Sequence, residues 1–167
     1  MNPFVGYDNI IPLLAPQDIG GTVTASSYMN LKYVQRGAFL VAFGAITSAT
    51  ATDAEVVTVE AATAEGGTEV AISFRYRLSG ALGANTCGAV TTAATTGVSM
   101  AETDDNKLLW IEIDPAEVQA ELADATVVRV KLTDTPDMTA CLVGVLGFSS
   151  PRYFGTTHKS ATASASA

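Results

Sequence analysis

Between Thr68 and Leu78 the chain alternates strictly, with Val70, Ile72, Phe74, Tyr76 and Leu78 in one phase and Glu69, Ala71, Ser73, Arg75 and Arg77 in the other. A period of two sends successive side chains to opposite faces of an extended strand, so one face is core and the other is wet or paired. Phe39 to Ile46 and Glu55 to Ala61 also read as strands, rich in β-branched and aromatic residues, with a Thr/Ala/Asp turn around Thr50 to Asp53 between them. Glu65-Gly66-Gly67 makes a tight connection into the Thr68 strand. Further strands are expected over Lys107 to Ile113, Thr126 to Thr133 and Ala140 to Phe148, with Thr22 to Tyr28 and Lys32 to Arg36 as shorter candidates. A single helix signal stands among them. Asp114 supplies an N-cap, Pro115 a first helical position and Glu117 an acid in the first turn, followed by Val118, Ala120, Glu121 and Leu122, which predicts a short helix of two or three turns. Strands at regular spacing with one helical crossover favour an all-β fold, an antiparallel β-sandwich of jelly-roll-like form, over a parallel α/β layout with its alternating helices.

The chain has 167 residues, 48% of them apolar and 16% charged, which suits one globular domain. A core of this size covers roughly 70% of the surface the unfolded chain exposes, so folding needs neither disulfide nor metal. Residues 1–21 read differently from the rest. Pro3, Pro12 and Pro16 stand among Phe4, Tyr7, Ile10, Ile11, Leu13 and Leu14 with neither helical nor strand periodicity. Proline fixes φ and pushes its predecessor toward extended geometry, so the segment is expected to pair poorly inside a sheet. The expected organisation is an extended arm over 1–21, a β-sandwich over 22–154 and a disordered small-residue tail over 155–167. The apolar arm needs cover, either from its own domain or from a neighbouring subunit. From Ser79 to Met100 runs a stretch of Gly, Ala and Thr whose only large hydrophobe before Val98 and Met100 besides Val90 is Leu82; it is functional, folded into a hairpin, or mobile.

Little chemistry is visible. His158 is the only histidine and sits in the tail, away from any cleft a nucleophile-and-base site would need. Cys87 and Cys141 have no metal or redox spacing and read as small buried hydrophobes. Asp104-Asp105 lies in a Thr-Asp-Asp-Asn turn and lacks the other ligands of a calcium loop. Gly20-Gly21 and Gly66-Gly67 lack the frame that aims amides at a phosphate. No cofactor and no metal are expected, and no enzymatic activity. The apolar run Cys141 to Phe148 is eight residues, against about 20 for a membrane span. No secretory signal is expected either, since the first basic residue is Lys32.

Charge points to the kind of partner. With 17 acids against 9 Lys/Arg, a net charge of −8 and no basic cluster, nucleic acid is an unsuitable partner. Asp53 to Glu69 holds five acids and no base, and Glu102 to Asp124 eight acids against Lys107 alone, which suits a solvated, outward-facing surface. Arg75 and Arg77 share one strand face, Arg129 and Lys131 another; each pair is either neutralised internally or meets an acidic patch on a partner. Trp110 and Leu108 lie opposite Leu109, Ile111 and Ile113, so this strand is apolar on both sides. Either the short helix covers the second side or another subunit does.

The order of segments resembles a known family. An extended proline-containing start, the strand YVQRGAFLVAFGAIT, the pair VVTVEAAT and GTEVAISFRYRL, then NKLLWIEIDPAEV, TVVRVKLTD and CLVGVLGFSSPRY before a small-residue tail is similar to small tailed-bacteriophage virion proteins of the head decoration, or cement, type over residues 20–155. The resemblance implies a β-sandwich on the outside of an icosahedral shell, assembled in the host cytoplasm, with the major capsid protein as partner, a homo-oligomer bridging capsomers, and no catalytic residues. On that basis Phe4, Tyr7, Ile10, Ile11, Leu13 and Leu14 are expected to anchor on a neighbour, with Arg75 and Arg77 as further partner-binding residues. Deleting residues 2–19 is expected to leave a folded domain that no longer binds particles. Rival expectations are a head–tail joining or tail protein, and a carbohydrate-binding, adhesin-like sandwich using Trp110 and tyrosines as stacking platforms.

Overall fold

The computed structural model describes residues 9–48, 53–135 and 138–151. The strands are β1 (Asn9–Asp18), β2 (Thr24–Ala25), β3 (Met29–Asn30), β4 (Val34–Ser48), β5 (Ala54–Ala62), β6 (Val70–Ile72), β7 (Phe74–Leu78), β8 (Thr91–Ala93), β9 (Val98–Met100), β10 (Leu108–Ile113), β11 (Val127–Thr135) and β12 (Met138–Pro151), with one helix, α1 (Pro115–Glu121). They form two antiparallel sheets, an all-β sandwich. The front sheet has the order β1-β12-β4-β10-β7-β8, and the back sheet β2-β11-β5-β6, with β3 also on β11 and β9 also on β5. The chain passes repeatedly from one sheet to the other, so most of its packing is between residues distant in sequence.

The core lies between the sheets and follows the alternation of the long strands. Phe39 and Val41 on β4, Leu109 and Ile111 on β10, and Val145 on β12 meet Val57 and Val59 on β5 and Val130 and Leu132 on β11, all at 0% exposure. Packing here is close: an added Cβ at Gly37 would stand 2.7 Å from Met29 Cε of the back sheet, so the methionine would have to shift.

The Thr68–Leu78 alternation holds in phase yet serves two sheets. β6 pairs with β5 at the back and β7 with β10 at the front, and Ser73 is the corner between them. Ile72 and Phe74 on either side stay buried. The Ser73 N–H, which leaves both ladders, donates to Glu121 Oε2 at 2.9 Å, and its hydroxyl also bonds Glu121. Helix α1 begins as expected, with Asp114 Oδ1 accepting from Ala116 N–H at 2.9 Å and Pro115 at the first helical turn. Its Val118 is buried in the core, so the helix seals the end of the sandwich between the sheets.

The expected arm is corrected over residues 9–18. These form β1, an edge strand paired with β12 from Asn9 opposite Ser149 to Asp18 opposite Leu142. The prolines do not prevent this, because an edge strand needs ladder bonds on one side only, and the register slips after Pro12 and again before Gln17. Glycine on β12 makes the room: a Cβ at Gly147 would stand 2.6 Å from Leu13 Cδ1, and one at Gly144 3.2 Å from Pro16 Cγ. The sandwich therefore includes Asn9–Asp18, ahead of the expected boundary at residue 22. Residues 1–8, with Phe4 and Tyr7, and the tail over 155–167 lie outside the described residues.

The Gly/Ala/Thr stretch is partly ordered into strands. It folds back on itself between Ser79 and Cys87, gives β8 to the front sheet edge and then β9 to the back sheet. Cys87 on this excursion is exposed, which corrects the expectation of two buried cysteines; Cys141 is buried.

Candidate functional site

The outward side of the front sheet carries the feature that needs a functional explanation. Register places its residues in rows across the strands. Pro12, Leu146, Leu40, Trp110 and Arg77 form one row, and Ile10, Phe148, Ala38, Glu112 and Arg75 the next. Antiparallel sheets that face water normally alternate apolar-in and polar-out, yet here Ile10 is 55% exposed, Leu142 46%, Leu108 42%, and Trp110 and Leu146 37% each. Small residues between them, Ala38, Ala42, Gly44 and Gly144, keep the face low.

Trp110 is the centre of this face. Its ring lies 5.2 Å from that of Phe148, centroid to centroid, at an interplanar angle of 37°. Phe148 is diagonal to Trp110 across β4, within the reach of large aromatic pairs. The indole divides two shallow clefts. One of about 250 Å³ is lined by Arg36, Trp110, Glu112, Phe148, Ser149 and Ser150 together with Gly37 and Ala38. The other, of about 210 Å³, is lined by Arg75, Tyr76, Arg77, Val90, Trp110 and Glu112. Helix α1 does not cover Trp110; its side chains go to the end of the sandwich, Glu117 to Arg75 and Glu121 to Ser73.

The rim of the face is basic. Arg75 is neutralised by Glu117 at 3.2 Å and Glu112 at 3.8 Å. Arg36 and Arg77 are exposed and, among the described residues, form no ion pair, whereas Lys107, Arg129 and Lys131 are all paired. In a chain of net charge −8, two unpaired guanidinium groups at the edge of an apolar patch form a local reversal of sign. An apolar centre with a charged rim is the usual anatomy of a protein-binding surface.

The outward side of the back sheet is closed on itself. Glu60 faces Arg129 across the β5–β11 ladder and accepts from Arg129 Nη2 at 2.8 Å and Nε at 2.9 Å, and from Lys131 Nζ at 2.9 Å. Arg129 also reaches Glu69 at 3.2 Å and lies 5.1 Å over the Tyr28 ring, while the Tyr28 hydroxyl donates to Glu69 at 2.5 Å. That bond holds the Glu69 carboxyl below its ordinary range. Burial raises the Tyr28 hydroxyl, with the Glu69 bond adding to it. Arg129 and Lys131 are thus neutralised within the molecule.

The residues expected to bind a partner are divided by the structure. Phe4 and Tyr7 lie outside the described residues. Leu13 is 4% exposed and belongs to the chain's own core, against which Ile11 and Leu14 also pack, so these three are not free anchors; β1 folds back onto its own sheet. Ile10, Arg75 and Arg77 do lie on the outward face. Leu40, Leu142, Leu146, Phe148 and Arg36 were not singled out. For Leu142, Leu146 and Phe148 the signal is the run from Cys141 to Phe148 with hydrophobes in both phases of the alternation, which marks a strand apolar on two sides. The acids at 102–105 make a turn. Asp104 bonds Lys107 at 2.8 Å and the Ala101 N–H at 3.1 Å, and Asp105 accepts from Ile46 N–H at 2.6 Å. Among the described residues no His, Cys, Asp or Glu cluster has the geometry to hold a metal ion, and no helix is long and apolar enough to cross a membrane. No protein-family model matches the chain, and comparison with curated proteins and with solved structures finds no similar protein.

Proposed function

We propose that this chain is a structural virion protein that docks on the outer surface of a tailed-bacteriophage head and bridges neighbouring capsomers, with the outward side of the front sheet as its contact face. The observation that carries the proposal is the uncovered Trp110–Phe148 face, apolar where a water-facing antiparallel sheet is polar. The partner is the major capsid protein, and its matching surface has an apolar centre with carboxylates placed to meet Arg36 and Arg77. The charge balance of the chain supports an outward position, since −8 per copy is repelled by encapsidated nucleic acid. Many copies on a symmetric shell make a modest individual contact effective, because copies that also touch one another hold each other in place. Association into homo-oligomers on the head belongs to the same proposal.

The test is the copy number of this chain in purified particles relative to the major shell protein. Hundreds of copies support decoration of the head, and six to a few dozen select a head–tail joining or tail protein. Trp110→Lys is expected to leave the protein folded and absent from heads. Retention at the unsubstituted level would remove the face from the proposal.

One observation favours a second reading, a carbohydrate-binding sandwich: Trp110 is exposed beside a cleft that also holds Arg36, Glu112, Ser149 and Ser150. Titration with a panel of glycans, followed by Trp110 fluorescence, separates the two; saturable change with a glycan selects the second.

A further inference from the structure

At the end of the sandwich where β5 begins and β11 ends, one side chain breaks the apolar pattern of the interior. Glu55 is 0% exposed on the inward phase of β5, two residues before Val57 and four before Val59. Neither of its carboxyl oxygens has a hydrogen-bond partner. Its register neighbours are Asp134 on β11 and Met100 on β9. Asp134 commits both its oxygens to the Met138 N–H, at 2.9 and 2.8 Å, and so closes the passage from β11 to β12. Cys141 stands across the interior on β12, buried.

The charged groups around this end come from four elements and are all acids. Asp18 of β1 accepts from the N–H groups of Gly20 and Cys141 at 3.0 and 2.9 Å. Asp105, before β10, accepts from Ile46. Asp134 faces Glu55 from β11, and Asp53, 3% exposed, stands immediately before β5. Asp134 acts directly on Glu55, and Glu55, Asp18, Asp134 and Asp105 all act on the Cys141 thiol; among the described residues no lysine or arginine is among the charges acting on Glu55 or Cys141. A carboxylate at 0% exposure, with neither oxygen partnered among the described residues, is costly, so the neutral acid is the form that fits.

We propose that Glu55 is a proton-operated latch: as a neutral acid it lets the two sheets close at this end, and loss of its proton parts β5 and β11 from β12. The latch is independent of the docking face, since Glu55 points inward and the face outward. Burial, with the charge of Asp134 adding to it, pushes the Glu55 carboxyl from 4.5 up to about 8. The sign follows from proton counting. Between those two values the closed form holds one proton more than the opened form, so opening becomes about tenfold more favourable for each pH unit gained. Below the window the stabilisation is fully present, and above it the loss is complete.

Cys141 reports the opening. Burial, with Glu55 and the surrounding aspartates adding to it, pushes its thiol up to about 12 in the closed form, so it reacts only when exposed. In full-length protein carrying Cys87→Ser, which removes the exposed thiol, alkylation of Cys141 by iodoacetamide is followed from pH 6 to 8. The thiolate fraction of an opened cysteine alone gives about tenfold per pH unit. The latch supplies a further factor of about tenfold, so the rate is expected to rise about 100-fold per unit with Glu55 and about tenfold per unit with Glu55→Gln. Equal slopes in the two proteins would overturn the proposal. Should Glu55→Gln not fold, the Tm of the unsubstituted protein decides: a fall from pH 5 to 8 supports the latch, and a Tm that stays level or rises overturns it.

Discussion

On the back sheet the outward positions beside Val59 and Val130 are Glu60, Arg129 and Lys131; on the front sheet the outward positions beside Phe39, Ile111 and Val145 are Leu40, Trp110 and Leu146. Inward, the two sheets are built alike, from β-branched and aromatic side chains at or near zero exposure. Outward they differ in what satisfies them. The back face pairs Arg129 and Lys131 with Glu60 and Glu69 of the same molecule, two Arg129 N–H groups meeting one Glu60 oxygen and Lys131 the other, and the Tyr28 hydroxyl adds a bond to Glu69. The front face leaves large apolar side chains open and two arginines unpaired. Two faces of one fold under one solvent thus teach which is satisfied within the molecule and which is left open, the basis of the docking proposal.

The sharpest way to break the comparison is to exchange inward and outward positions on one strand. Leu13→Ala, inward on β1, is expected to cost about 2–4 kcal/mol in urea unfolding, and Ile10→Ala, outward on the same strand, within about 0.5 kcal/mol. Equal costs would mean that β1 does not share the core. By the same physics, deleting residues 2–19 now removes a strand and the buried Leu13 and Ile19, so loss of cooperative unfolding is expected where a merely trimmed arm would leave stability unchanged. Next in size is the back face. Arg129→Met leaves Glu60, mostly buried at 9% side-chain exposure, with Lys131 alone, and is expected to destabilise by about 2–3 kcal/mol. Smaller still is Leu146→Lys on the front face, expected to change stability by less than about 1 kcal/mol while abolishing retention on heads. The smallest is Arg77→Glu, neutral in unfolding within about 0.5 kcal/mol, whose effect is expected in the salt dependence of docking.

Most of the architecture was legible because alternation is a local signal. The phase of Thr68–Leu78, the limits of the Glu55 strand to within one residue and the Asp114-Pro115 helix start all follow from neighbouring residues, whereas the strand expected over Phe39 to Ile46 runs from Val34 to Ser48 and takes in part of the separate Lys32 to Arg36 candidate. What escaped was decided at a distance. Ser73 gives no local sign that it divides one strand between two sheets; the acceptor for its freed N–H, Glu121, is 48 residues away. Pro12 and Pro16 argued against pairing, and they would bar β1 from the middle of a sheet, but at an edge the missing donors face water. The glycines that admit it, Gly144 and Gly147, lie at the far end of the chain. The proposed docking face was half visible, through Trp110 and Leu108 on a two-sided strand, and its other half required the register that sets Leu146 and Phe148 beside them. Glu55 was hidden because nothing in its sequence neighbours tells a charged inward residue from an outward one.

The pairing of β1 with β12 has a mechanical consequence. Asn9 sits opposite Ser149, so the two ends of the described chain leave the sandwich at the same corner. Tension applied between them acts along the inter-strand bonds, which lie perpendicular to the strands in an antiparallel ladder. Such a load peels the strands apart one bond at a time, each yielding before the next resists, whereas sliding would engage all of them together. The sandwich is therefore weak when Asn9 and Ser149 are pulled apart.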